Sequence, residues 1–293
     1  MKKRPGHFVF AVSAIASIIL FFSCQKEVSV NNDNVPAGMN KVSIYLTDGP
    51  TDYQNVFIDI QQIAIKLDTC AHNDDDDHNH PGCDDDHDSL AVGSCEIWDT
   101  LAINPGVYDL MTLRNGLDTL LASGFILNGK IERIKITLGT NNSVVVDSVS
   151  YPLHLLNGQN YVYVNIRREH LDYISSNSLR FYLDFDLERS IRYMNGQYWL
   201  KPVLRPFGRH SSGEIEGKIR PLFSHGMIKA YNSTDTAYAW PWWQNGEFKL
   251  RGLHAGTYSV FIDGVLGYRD TTITGIVVQQ NRETDLGVIQ LQR

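Results

Sequence analysis

Apolar residues recur at every second position along most of this chain, and that period constrains its fold more than any other feature. Val42, Ile44 and Leu46 alternate with Ser43 and Tyr45. Ile134, Ile136 and Leu138 alternate with Arg133, Lys135 and Thr137, and Val162, Val164 and Ile166 with Tyr161, Tyr163 and Asn165. A period of two puts one set of side chains on one face of a strand, so each segment reads as a half-buried antiparallel strand. Val56, Ile58 and Ile60 follow the same rule, and then the phase flips to Ile63, Ile65 and Leu67. A one-residue phase change within a single run predicts a β-bulge near Gln61-Gln62. Asp109 to Ser123 breaks the pattern. Leu110, Leu113, Leu117, Leu120 and Leu121 fall near a 3.6 period and predict a helix, with two short turns as the alternative because Gly116 interrupts it.

A polar, small-residue break at Arg209 to Gly213 predicts a domain boundary near residue 210. Short strands follow at 215–219, 227–231, 236–240, 247–250, 257–262 and 275–278. Turn residues such as Asn245-Gly246 and Ala255-Gly256 separate them. The expected fold is mainly β, with two antiparallel sandwich-like domains, 41–208 and 211–293.

The start of the chain carries an address. Lys2, Lys3 and Arg4 precede an apolar run from Phe8 to Phe22. The run is shorter than the roughly 20 residues a spanning helix needs, and it fits a signal peptide over 1–23. Its end, Leu20-Phe21-Phe22-Ser23-Cys24, resembles the bacterial lipobox. The resemblance implies lipidation (palmitate among the acyl chains) at Cys24 and a membrane anchor. Several acyl chains hold stably where one does not, at about 0.8 kcal/mol per buried CH₂. Gln25-Lys26-Glu27 looks like a short surface-export signal; the alternative is a plain solvated tether. Residues 24–40 read as the lipidated cysteine and a flexible linker, because they are too polar to bury a core. The expected location is the cell envelope, at the outer membrane and exposed at the surface.

The formal charge is −7, and −10 once the three cations before Ser23 are removed. That balance argues against a nucleic-acid partner, which needs a basic face. Much of the acid sits in one stretch, 71–89. There His72, His78, His80 and His87 mix with Asp74, Asp75, Asp76, Asp77, Asp84, Asp85, Asp86 and Asp88. Carboxylates favour Ca²⁺, whereas imidazoles favour Zn²⁺ or Ni²⁺. The spacing fits no established Ca²⁺ loop, so the expectation of divalent metal rests on composition, and a solvated acidic loop is the alternative. Cys70, Cys83 and Cys95 flank or lie in this stretch. An exported chain favours disulfides. Pairing Cys70 with Cys95 would close the loop at its base; Cys83 with either neighbour is the other arrangement.

Two further groups are candidate sites. Along 181–188, Phe181, Leu183, Phe185 and Leu187 share one face, and Tyr182, Asp184, Asp186 and Glu188 the other. Pairing of these acids with Arg133 and Lys135 is the expected reading, and a cation site that also recruits Asp48 is the alternative. Tyr238, Trp240, Trp242 and Trp243 cluster around Pro241. They are the candidate ligand-binding residues, since exposed aromatic faces stack on sugar rings or partner side chains. Filling the core of the small sandwich is the alternative.

Thr47-Asp48-Gly49-Pro50, Phe181 to Asp186, Ser190-Ile191 and Lys201-Pro202-Val203-Leu204 resemble the landmarks of domain of unknown function family 4382, from about 40 to 207, with Gly49 where the family usually has Ala. Gly246 to Leu250, Gly252-Leu253 and Gly256-Thr257-Tyr258 resemble the carboxypeptidase regulatory-like, or starch-binding-like, sandwich, and imply an accessory module. No G-x-S-x-G, H-E-x-x-H or phosphate-cradling loop occurs, so no catalytic residue is expected. The expected function is an envelope lipoprotein serving as an accessory or adhesion-type module that binds a glycan or a surface protein. A metal-binding structural lipoprotein is the alternative, and a hydrolase comes third.

Overall fold

The computed structural model describes residues 35–48, 51, 53–70 and 95–293. Fourteen strands precede the break near 210: β1 Met39–Asp48, β2 Asn55–Asp68, β3 Glu96–Ile103, β4 Gly106–Asp109, β5 Thr119–Leu127, β6 Lys130–Leu138 and β7 Ser143–Val146. Then come β8 Val149–Leu155, β9 Tyr161–Asn165, β10 Asp172–Ser175, β11 Ser178–Phe185, β12 Ile191–Met194, β13 Gln197–Leu200 and β14 Leu204–Phe207. One helical turn, α1 (Leu187–Ser190), follows β11. Beyond the break lie β15 Gly213–Arg220, β16 His225–Tyr231, β17 Thr236–Ala239, β18 Glu247–Leu253, β19 Gly256–Gly264, β20 Thr271–Val278 and β21 Glu283–Gln290. The chain is mainly β, as its period of two requires. No described helix is long and apolar enough to cross a membrane.

The first fourteen strands form one hydrogen-bonded network, whose main path runs β10-β11-β1-β5-β3-β2-β7-β8-β13-β12. β15, β18 and β21 make a three-stranded sheet, and β16, β17, β19 and β20 a four-stranded one. Two apolar cores result. One is drawn from Val42 to Leu200 and the other from Ile215 to Leu291, with Val42, Ile44, Ile65 and Leu183 fully buried in the first and Ile215, Leu250 and Val260 in the second. The two lobes nevertheless form one compact unit, Val35–Arg293.

The phase flip in β2 is a real irregularity, because its pairing with β6 shifts register between Ile60 and Gln62. That shift keeps Ile58 and Ile60, and then Ile63 and Ile65, all in the core. The helix expected over 109–123 does not form. β4 ends at Asp109, whose carboxylate caps a single 3-10 turn, Leu110–Leu113, by accepting from the Met111 N–H at 3.1 Å. Arg114 is then extended, Asn115 and Gly116 have positive φ, and β5 begins at Thr119. The leucines are split accordingly: Leu110, Leu113 and Leu121 are buried, while Leu117 and Leu120 are half exposed. Their near-helical spacing came from three separate elements.

Candidate functional site

The strand expected over 181–188 ends at Phe185. Asp186 is the N-cap of α1, accepting from Arg189 N at 3.0 Å. Ser190 Oγ donates to Asp186 O and accepts from Val203 N at 2.9 Å, while Lys201 N donates to Ser190 O at 2.8 Å. Asp186, Ser190 and the 201–204 segment therefore interlock as one structural knot. Thr47 has a comparable duty, its hydroxyl donating toward the carbonyls of Leu113 and Leu117 at 3.2 and 3.0 Å. The three acids of 181–188 are not in line, since two of them belong to α1 and its cap.

Asp184 stays on the strand, and its partner is Arg205 on the neighbouring β14, at 2.9 Å. The expected partners lie elsewhere. Arg133 bonds Asn165 and sits over the Tyr163 ring, and Lys135 sits over Tyr161, because β6 pairs with β9. Arg205 also reaches Asp235 of the C-terminal lobe at 3.3 Å and donates to Thr236 O at 2.6 Å. Asp235 further accepts from Tyr258 Oη at 2.8 Å and His254 N at 3.1 Å. Burial pushes the Asp235 carboxyl up, but the bonds from His254 and Tyr258 and the charge of Arg205 outweigh it, leaving it below its ordinary value.

A charged seam thus joins the lobes. Arg251 lies 3.3 Å from Asp118 and 3.2 Å from Glu214, Asn115 Nδ2 donates to Trp240 O at 2.8 Å, and Arg114 sits 5.5 Å over the Trp242 ring. Gly116 lets Arg251 through. Its φ is +85°, and a Cβ there would lie 2.9 Å from Arg251 Nε. Asp48 is the exception within this seam. It is buried, and neither carboxylate oxygen has a hydrogen-bond partner. Burial first, then the charge of Asp184, raise its carboxyl well above the ordinary range, against the pull of Arg114. It lines a cavity of about 20 Å³ shared with Asp184, Arg205, Tyr238 and Arg251. That volume suits one water, which needs roughly 10–15 Å³. The cation site suggested for these acids does not assemble: among the described residues no three His, Cys, Asp or Glu groups are placed to hold a metal. Asp184 is already held by Arg205, and Asp186 is spent on capping.

The four aromatic residues do not fill the small core, whose matching positions are Ala237 and Ala239. Tyr238, Trp240 and Trp242 are half buried, and Trp243 is 60% exposed. Trp242 borders a larger cavity of about 360 Å³, lined also by Asn115, Glu216, Lys218, Phe248 and Asp285. This volume lies within the range of small-ligand sites, about 300–1,000 Å³. Its walls are ordered by ion pairs, Lys218 to Glu247 at 2.7 Å and Lys249 to Glu216 at 3.0 Å. Period and composition gave no hint of another aromatic surface. Tyr193, Tyr151 and Tyr53 ring Tyr198 at centroid distances of 4.8, 5.4 and 6.1 Å. Its members come from β8, β12, β13 and the 53 position: the β12–β13 pairing sets Tyr193 opposite Tyr198, and the pairing of β8 with β13 brings in Tyr151.

Cys70 and Cys95 form a disulfide with Cα atoms 5.3 Å apart. Antiparallel pairing of β2 with β3 delivers both ends, through Asp68 opposite Glu96. The Asp/His segment 71–89, with Cys83, lies outside the described residues, as does the lipidation candidate Cys24.

The fold and the seam define a mainly-β protein of two apolar cores joined by part-buried ion pairs. The chain belongs to the family described as Domain of unknown function (DUF4382), whose model matches residues 39–202. No curated protein matches it. Solved structures with some likeness include GBS52, the minor pilin of Streptococcus agalactiae, at 10% identity, covering 86% of this chain and 95% of that one, with a TM-score of 0.22. The shaft pilin SpaA of Lactobacillus rhamnosus GG has 11% identity, 87% and 98% coverage and a TM-score of 0.20. Scores this low transfer nothing from those proteins to this chain.

Proposed function

We propose that this chain is a non-catalytic binding module of the cell envelope, tethered through lipid on Cys24, that takes a glycan-class ligand in the cavity beside Trp242. One observation carries the reading: an aromatic ring borders a cavity of about 360 Å³ whose other walls mix hydrogen-bonding and charged side chains with the apolar Phe248 and Val288. A ring supplies a stacking face, and Asn115, Glu216, Lys218 and Asp285 supply donors and acceptors for hydroxyls. The cavity is built mostly on strands β15, β18 and β21, which the ion pairs of Lys249 hold in place. A preorganised wall loses little freedom on binding. The C-terminal lobe's resemblance to starch-binding-like sandwiches points the same way. A glycan array probed with the full chain and with Trp242→Ala tests it. Binding that the substitution abolishes, while the chain still unfolds in one cooperative transition, is expected; equal binding by both proteins rules the cavity out.

A further inference from the structure

At one end of the C-terminal lobe, four segments are tied side by side. Ile219 N donates to Gly246 O, Arg220 Nη1 to Asn245 O, Leu291 N to Arg220 O, Val265 N to Ser224 O, and Arg269 N to Gln292 O, all between 2.7 and 3.0 Å. The 221–224, 241–246 and 265–270 loops and the 291–293 segment therefore share one tip. Three large apolar side chains stand out there: Phe223, Trp243 and Leu266 are 54, 60 and 78% exposed. The Phe223 and Trp243 rings lie 6.4 Å apart. Phe223 and Leu266 also hold positive φ, 65° and 55°, which bulky residues rarely adopt. The fold thus maintains two apolar side chains in water, on backbone that disfavours them, and such strain concentrates at functional surfaces.

We propose that this tip is a second membrane contact, in which Phe223, Trp243 and Leu266 enter the interfacial layer of an anionic bilayer while Arg269 and Arg293 meet its headgroup phosphates. Trp and Phe on short loops suit that layer, where an apolar body meets a polar boundary. Charge complementarity selects a lipid surface as the occupant. The whole chain is acidic, at −7, yet this tip carries Arg220, Arg269 and Arg293 against Asp263 and Asp270. Arg220 is engaged by Asn245 O, and Glu247 nearby is neutralised by Lys218. Arg293 lies over the Tyr268 ring at 5.0 Å and Asp270 accepts from Gly264 N, so with both aspartates counted the tip keeps an excess of one positive charge on an otherwise acidic chain. Apolar insertion and attraction to anionic lipid act together in such contacts. The inference rests on a membrane address for the chain and not on the Trp242 cavity.

The full chain, reconstituted into phosphatidylglycerol-containing vesicles with brominated acyl chains, tests it. Tryptophan emission should be quenched relative to unbrominated vesicles, and Trp243→Phe should remove the quenchable share. Phe223→Ser with Leu266→Ser should lower that share by about half, as should replacing anionic by zwitterionic lipid. All three side chains are exposed, so these variants keep their unfolding transition. Equal emission with and without bromine, or a quenchable share that survives Trp243→Phe, overturns the proposal. So does shielding of Trp243 that requires an added protein rather than lipid.

Discussion

Arg205 lies 2.9 Å from Asp184 on its own lobe and, through its other nitrogen, 3.3 Å from Asp235 on the C-terminal lobe. The two carboxylates hold the guanidinium above its ordinary range, although burial opposes them. One side chain thereby closes both halves of the seam, and the consequence is energetic coupling between the lobes.

Removing Arg205 leaves Asp184 and Asp235 partly buried with no counter-charge. Breaking a fully buried pair from one side typically costs about 3–5 kcal/mol; these groups are part-buried, so Arg205→Ala should lose less, about 2 kcal/mol. Asp184→Asn combined with Asp235→Asn should recover part of it in Arg205→Ala. Urea unfolding of the four proteins reads the coupling, and simple additivity would contradict it.

Asp48 gives the pH dependence. Its folded carboxyl binds protons more tightly than the unfolded chain's, because burial and Asp184 disfavour the anion. The folded state then holds more protons than the unfolded one, so stability falls as pH rises from about 4 through the folded value. Asp109 and Asp186 add to the rise, and Arg114 opposes it. Asp48→Asn should therefore melt increasingly above the wild type from acid toward neutral pH. Parallel melting curves over that range would show that Asp48 is ionised and satisfied.

The Cys70–Cys95 bridge spans a sequence separation of 25. Closing a loop of that size stabilises by roughly 3 kcal/mol in the chain-entropy model. Cys70→Ser with Cys95→Ser should lose about that amount without changing the core strands. Peptide mapping under non-reducing conditions would expose a Cys83 pairing instead.

Gly116 should resist substitution. Ala there meets both a positive φ of 85° and Arg251 at 2.9 Å, so Gly116→Ala should weaken the seam by more than the ~1 kcal/mol of backbone strain alone. An effect equal to that of Gly38→Ala, at positive φ but in open space, would show that Arg251 simply moves aside.

The segment 72–88 remains the candidate for divalent metal. Calorimetry with Ca²⁺, Zn²⁺ and Ni²⁺ at two pH values separates carboxylate from imidazole ligation, since only the latter weakens as His protonates near ~6.5. Heat from none of the three ions returns the segment to solvated charge. Loss of labelled-lipid incorporation in Cys24→Ala tests the anchor.

Where one residue's burial follows from its own neighbours along the strand, the sequence is readable. Alternation in Val42–Leu46 and Ile134–Leu138, and the phase slip at Gln61-Gln62, placed strands and bulge, because period two maps directly onto the two faces of a strand. The same logic misled at 109–123, where a cap, a positive-φ turn and a new strand imitate a helical period. It missed β21, whose Glu283–Gln290 segment is mostly exposed and so carries little apolar pattern.

By itself the sequence determined a mainly-β chain, the family landmarks, and the residues that could form a bridge across an acidic stretch. Those are properties of local pattern. Which charges meet was decided only by tertiary structure. Asp184 takes Arg205 rather than Arg133 or Lys135 because β11 pairs with β14, and β6 with β9. The aromatic cluster at 238–243 divides between seam, cavity and exposed tip for the same reason. Strand pairing over long separations sets which side chains share a space, and no local period encodes it.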